Sequence, residues 1–129
     1  MIDVFKALAD ENRLRIINLL INAELCVCEL ELLLAMSQSN ASRHLNKLKT
    51  ARLITSSKET QWVHYKFSED FQKEHELLAQ YLEKRFRSTA VFVQDLKRCQ
   101  IYKDSRYDCQ DIRNDKDTVK NYLAEQMNI

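Results

Sequence analysis

Four cysteines carry the most versatile chemistry in this chain: Cys26 and Cys28, two apart in ELCVCEL, and Cys99 and Cys109 further on. A thiolate is both a nucleophile and a soft ligand. In mid-helix, residues two apart point about 200° away from each other, so one ion would not reach both. With Cys26 on an extended segment and Cys28 at the N-cap of the next helix, both sulfurs fall on one side. That placement predicts thiols shifted toward the thiolate by the free amides of the helix start. It also pairs Cys28 with Glu31 as the N3 residue of a capping-box arrangement. The competing reading is that these thiols are small buried apolar residues, a common fate of free cysteine.

A second group of residues offers a different chemistry. Residues 1–31 hold six acids against three bases. No acid then appears until Glu59, while Arg43, Lys47, Lys49, Arg52 and Lys58 supply five cations within a chain of net charge +1. Ser37 reads as the N-cap of a helix whose first turns present Gln38, Ser39, Asn40, Ser42, Arg43 and His44. A helix start of this kind fits the major groove of double-stranded DNA, where Gln or Asn pairs with adenine and Arg with guanine. Lys47, Lys49 and Arg52 suit phosphate, and Lys58, Gln61 and His64 on a following hairpin would meet adjoining backbone or minor groove. A merely solvated basic helix face is the alternative.

The elements that must position both groups read as mostly helical. Val4, Phe5 and Leu8 mark a short helix ending near Asp10; Leu14, Ile16, Ile17, Leu20 and Ile21 mark a second, with Arg13 and Arg15 near its start. After a brief extended stretch over 22–25, Leu30, Leu33 and Leu34 mark a third helix from about Cys28. Ala41, His44, Leu45 and Leu48 mark the fourth. Segments 53–58 and 62–67, β-branched and aromatic, flank the polar tetrad 58–61 and predict a hairpin with Trp62 in its core. From Asp70 to about Lys97 the repeat Phe71, Leu78, Leu82, Phe86, Val93 and Leu96 predicts one long helix. At roughly 40 Å it would exceed so small a body and pair with a second copy. Val119, Tyr122, Leu123 and Met127 predict a last helix in a polar tail. The fold class expected is mainly α with a small β-hairpin, a winged helix-turn-helix. It divides into a DNA-binding and dimerisation domain over 1–98 and a cysteine-containing tail over 99–129.

Composition narrows the function further. With no glycine and no proline among 129 residues, the chain lacks the P-loop, the GxGxxG dinucleotide fingerprint and the GxSxG nucleophile elbow. Without CxxC or proline, thioredoxin-type catalysis has no support. There is also no Ser/His/Asp arrangement, so an enzyme is not expected. The charged start argues against a signal peptide, and no apolar run approaches the roughly 20 residues of a membrane span. The expected setting is cytoplasmic, with reduced thiols and no membrane partner.

The segments FKALADENRLRIINLL, ELCVCELELLLAMSQSNASRHLNKLKTARLI and WVHYKF together resemble the ArsR/SmtB family of metal- and metalloid-sensing bacterial repressors over residues 4 to about 86. The resemblance implies a homodimeric winged-helix repressor that binds an inverted-repeat operator and leaves it when a metal ion or metalloid binds. Family members usually carry proline near the second helix and glycine in three turns, at places held here by Glu11, Ala35, Arg52 and Thr60. They commonly add a third cysteine where Glu31 stands. As(III) or Sb(III), favouring three thiolates, would need a third sulfur from Cys99 or Cys109, from the same or a partner subunit. All four thiolates would instead suit Cd(II), Pb(II) or Zn(II). Thiol oxidation and a non-DNA protein-docking role are the rival readings. His64 and His75, far apart, read as surface or packing residues.

Overall fold

The computed structural model describes residues 1–129. Asp10, not proline, starts the second helix: its carboxylate accepts the Arg13 backbone N–H at 3.0 Å, so α2 runs Glu11–Asn22 after the short α1, Ile2–Leu8. Glu11, where proline was the family habit, stands at the first helical position, the one position where either residue is at ease. Ile16, Ile17, Leu19 and Leu20 of α2 are buried against α3 (Val27–Leu34) and α4 (Gln38–Thr50). Ser37 caps α4 by accepting the Asn40 N–H at 3.2 Å. Strands β2 (Ile54–Glu59) and β3 (Trp62–Phe67) form the expected hairpin. A two-residue strand, β1 (Leu25–Cys26), pairs with β3 on its other side, so the wing is a three-stranded antiparallel sheet of order β1-β3-β2.

Three turns place non-glycine residues in the left-handed region: Ala35 at φ 54°, Arg52 at 63° and Thr60 at 57°. These are the joint between α3 and α4, the step into the hairpin, and the wing tip. Each costs about 1–2 kcal/mol relative to glycine, and all three are exposed.

The single helix expected over 70–97 is three helices instead: α5 (Glu69–Glu74), α6 (Glu76–Arg87) and α7 (Ala90–Asp104). Apolar periodicity continues across both breaks, which is why the sequence reads as one element. The second break has a local cause. Ser88 Oγ donates to the carbonyls of Lys84 and Arg85, and Thr89 Oγ1 donates to Arg85 O at 2.9 Å, taking over the acceptors that the next helical turn would use. The chain then folds back. Asp95 on α7, 2% exposed, accepts from Arg15 Nε and Nη2 of α2 at 2.7 and 2.9 Å and from Arg98 at 3.3 Å; Arg98 also donates to Leu33 O at the end of α3. The expected boundary at 98/99 falls inside α7. The tail beyond it forms α8 (Cys109–Asn114) and α9 (Lys116–Met127), with Cys109, Ile112, Val119 and Leu123 buried. No helix is long and apolar enough to cross a membrane.

Candidate thiol centre and nucleic-acid face

The N-cap of α3 is Cys26, two residues earlier than the spacing suggested, and the N3 residue is Glu29, not Glu31. Both Cys26-x-x-Glu29 and Cys28-x-x-Glu31 satisfy the capping pattern. What selects the first is the sheet, since β1 ends at Cys26 opposite His64. Glu29 Oε1 accepts the Cys26 N–H at 2.9 Å, and its Oε2 accepts the hydroxyl of Tyr102 on α7. Glu29 and Tyr102 are both buried. Burial and the adjacent carboxylate hold the Tyr102 hydroxyl well above the usual phenol range. Tyr102 lies 73 residues from Glu29, and no local signal in the sequence connects them.

Around this helix start three sulfurs meet. The ligand atoms of Cys26, Cys28 and Cys109 all lie within 4.8 Å of one another, each residue buried. Cys26 and Cys28 sulfurs are 3.0 Å apart. Cys109 arrives on the first residue of α8, whose own start is fixed by a reciprocal Asp108–Asp111 capping box. Its sulfur touches that of Cys26, the two Cα atoms being 7.4 Å apart. Cys99 is not brought to the group. It is buried on α7, where desolvation pushes its thiol up to about 11. The expected lowering of the thiol pKa is also reversed at Cys28. Desolvation pushes it up to about 11, Glu29 and Glu31 adding to the shift while Arg113 opposes it. Here burial outweighs the helix start, so the resting Cys28 is a protonated thiol.

Cys26 and Cys28 line a cavity of about 580 Å³ between α3, the first residue of α4, the wing and the tail, together with Glu31, Trp62, Arg113 and Lys116. Trp62 is half-buried against the core, as expected, and also carries the Arg113 guanidinium 5.4 Å from its ring centre, while Gln61 donates to Gln110 Oε1 at 3.2 Å. The six-residue α8 thus holds the third sulfur and both tail contacts to the wing.

The residues of the basic island separate clearly. Gln38, Ser39, Asn40 and Arg43 are exposed at the start of α4, Arg43 donating to Asn40 Oδ1 at 3.4 Å; Ser42 is half-buried. Lys47, Lys49 and Arg52 are exposed further along, and Lys58 and Gln61 are exposed on the wing. His44 is a correction: it is 2% exposed and faces inward. Its Nδ1 accepts from Arg13 Nη1 at 3.3 Å, while Arg13 Nε and Nη2 donate to the carbonyls of Ala7 and Lys6 at the end of α1. Desolvation, then the surrounding cations, lower the His44 pKa against the pull of Asp10, so the ring is a neutral packing group and not a base reader. His64 is half-buried in a groove shared with Trp62, Cys109 and Gln110, facing the tail.

A cluster of three buried sulfurs beside an exposed polar helix start and a three-stranded wing belongs to a winged helix-turn-helix architecture, and comparison with known proteins gives the family. Residues 10–56 match the family described as "Bacterial regulatory protein, arsR family". The chain is 48% identical over 68 residues to the "Arsenical resistance operon repressor" of Escherichia coli (strain K12), covering 52% of this chain and 58% of that protein. It is 41% identical over 78 residues to "Arsenic resistance transcriptional regulator ArsR2" of Pseudomonas putida, covering 59% and 68%. It is 42% identical over 62 residues to "Cadmium resistance transcriptional regulatory protein CadC" of Listeria innocua, covering 47% and 52%. Among solved structures, reduced HlyU from Vibrio cholerae superposes with a TM-score of 0.53 at 38% identity, covering 62% of this chain and 85% of that one. The homodimeric winged helix-turn-helix domain of Mb0332 from Mycobacterium bovis superposes at 0.56 with 28% identity, covering 64% and 76%. The chain belongs to the ArsR family and has its winged helix-turn-helix fold. It spans little more than half the length of the first of these relatives.

Proposed function

We propose that this protein is a cytoplasmic transcriptional repressor that binds operator DNA as a homodimer and is released when As(III) or Sb(III) is captured by Cys26, Cys28 and Cys109. The observation that carries this reading is the meeting of three buried sulfurs at the start of α3. Three soft donors with no nearby fourth sulfur suit a three-coordinate trivalent metalloid, whereas a four-thiolate set for Cd(II), Pb(II) or Zn(II) would need Cys99 as well. The names of the E. coli and P. putida relatives favour arsenic, and that of CadC keeps cadmium as the alternative inducer.

On the nucleic-acid side, Gln38, Ser39, Asn40, Ser42 and Arg43 would read base edges, and Lys47, Lys49, Arg52, Lys58 and Gln61 would hold phosphates. Exposed Ile2 and Phe5 on α1 and Leu77 and Tyr81 on α6 supply apolar surface for a second copy. Capture acts by two routes. It draws on the start of α3, which packs against α4, and it fixes Cys109, which shifts α8 and with it the wing held through Arg113 and Gln110. A ligand favouring the DNA-free state by about 3 kcal/mol would weaken operator binding about 150-fold.

Operator retention under reducing conditions, titrated with arsenite, tests this reading. Cys26→Ser, Cys28→Ser and Cys109→Ser proteins should bind DNA and ignore arsenite, while Cys99→Ser should respond as the unaltered protein does. An arsenite response surviving in Cys109→Ser would refute the three-sulfur site. The sulfur contact between Cys26 and Cys109 supports a second reading, release by reversible thiol oxidation. Their 7.4 Å Cα separation exceeds the roughly 4.4–6.8 Å of ordinary disulfides and favours a shared central ion. Release by peroxide in metal-free buffer, reversed by reductant, would favour oxidation.

A further inference from the structure

The walls of the thiol cavity carry charges of both signs. Glu31 lies one helical turn after Cys28 on α3, and Arg113 lies one turn after Cys109 on α8; both line the cavity onto which Cys26 and Cys28 open. The complexes formed there differ in charge. A trivalent metalloid held by three thiolates is formally neutral, and a divalent ion held by the same three is formally −1. With the three cysteines only 2, 9 and 7% exposed, little water screens that difference, so fixed neighbouring charges act on it strongly. A carboxylate in the wall opposes the anionic complex and leaves the neutral one nearly untouched; a guanidinium does the reverse. The same residues already act on Cys28 in this sense, Glu29 and Glu31 working against its thiolate and Arg113 for it. Glu29 is committed to the cap of α3 and to Tyr102; of the other charges in the wall, Lys116 sits on α9, while Glu31 and Arg113 each lie one turn from a cysteine of the cluster and form the adjustable pair.

We infer that Glu31 and Arg113 set the charge class of the ion the site retains: Glu31 discriminates against divalent ions in favour of trivalent metalloids, and Arg113 partly offsets it. The inference rests on the three-thiolate reading above. It also gives a physical role to the residue that stands where relatives commonly carry a third cysteine.

The test is a binding titration of the whole reduced protein with Cd(II) alone and with arsenite alone, followed by thiolate charge-transfer absorption. It is run on the unaltered chain, Glu31→Gln and Arg113→Gln, with circular dichroism to confirm folding. The readout is the ratio of the two dissociation constants. Cd(II) releases the three thiol protons to the buffer, whereas the three hydroxides of arsenite leave with them as water; at one fixed pH the same thiol-protonated free site is the reference for both, so thiol acidity cancels from the ratio, as does any general loosening of α8. Glu31→Gln should shift the ratio toward Cd(II) by about tenfold, the scale of a one-unit electrostatic interaction, and Arg113→Gln should shift it toward arsenite by a similar factor. Ratios unchanged in both variants, or moved in the same direction by both, overturn the inference while leaving the site reading intact. If the unaltered protein binds neither ion through its thiols, both fail together. Should one variant not fold, the sign of the other decides.

Discussion

Two consecutive helices, α3 and α4, begin in opposite ways. The start of α4 is open: Ser37 caps it with a hydroxyl, and Gln38, Ser39, Asn40 and Arg43 stand in solvent. The start of α3 is closed: a carboxylate from its own first turn, a tyrosine from α7 and a cysteine from α8 cover it. The open start has free donors and acceptors and nothing to reorganise before a surface is laid against it. At the closed start the Cys26 N–H is already taken by Glu29 and the reactive atoms are buried sulfurs, Cys28 held protonated by burial, so a ligand must displace a proton from a buried thiol to bind there. The two starts are eleven residues apart and joined by one strained turn at Ala35, so what happens at one bears mechanically on the other.

The sharpest way to break the contrast is to unseat α7, which supplies Tyr102 and anchors the tail. Asp95→Ala leaves Arg15 and Arg98 facing a buried void in place of a carboxylate. The expected loss is about 3 kcal/mol or more, because it removes one partner of a largely buried ion pair. Denaturant unfolding should register it, and arsenite binding should weaken with it while the exposed face of α4 is chemically unchanged. A stability loss under about 0.5 kcal/mol, the scale of ordinary surface substitutions, would show that the tail does not depend on this attachment.

Next in size is Tyr102→Phe, which deletes one hydroxyl and leaves Glu29 Oε2 buried without its donor, at a cost of about 1–3 kcal/mol. Thermal unfolding measures the cost. Because Glu29 would no longer be held against the Cys26 amide, arsenite affinity should fall more than the affinity for DNA. Equal loss of both would make Tyr102 a packing residue only.

The contrast also explains what the sequence made legible. The open start depends on neighbours in the chain, so Ser37 as a cap, the extent of α4, the hairpin and the last helix are all readable from local spacing. The three turns where the family resemblance marked glycine as usual, at Ala35, Arg52 and Thr60, are the three with positive φ. The closed start depends on partners far away. Cys26 in place of Cys28 as the cap follows from a two-residue strand pairing with β3. Burial of His44 follows from Arg13, 31 residues earlier, and the choice of Cys109 over Cys99 follows from where α7 turns back. The buried face of α7 includes Asp95, which periodicity alone assigns to solvent.

At the open start the expected effects are smaller and confined to binding. Arg43→Ala removes an exposed side chain whose sole recorded partner is Asn40, so its thermal midpoint should stay within error of the unaltered protein. Operator affinity should fall on the order of 1 kcal/mol, with discrimination relaxed at one base position if Arg43 reads a base. If the loss is uniform across sequences and the salt dependence falls by about 0.9 in slope, Arg43 is a phosphate contact.

The smallest effect sits at the joint itself. Ala35 is exposed at φ 54° and ψ 48°, so its methyl group strains the backbone. Ala35→Gly relieves about 1–2 kcal/mol of that strain and adds about 0.5–1 kcal/mol of unfolded-chain entropy. The net expectation is a stabilisation of about 0.5 kcal/mol, a rise in melting midpoint of roughly 1–3 °C. Operator affinity without arsenite should not change, because both residues adopt the same conformation. The arsenite response is the informative readout. If α3 pushes on α4 through a stiff joint, glycine should reduce the drop in operator affinity on saturation with arsenite while leaving arsenite affinity itself intact. An undiminished drop would move the burden of release to the other route, through α8 and the wing.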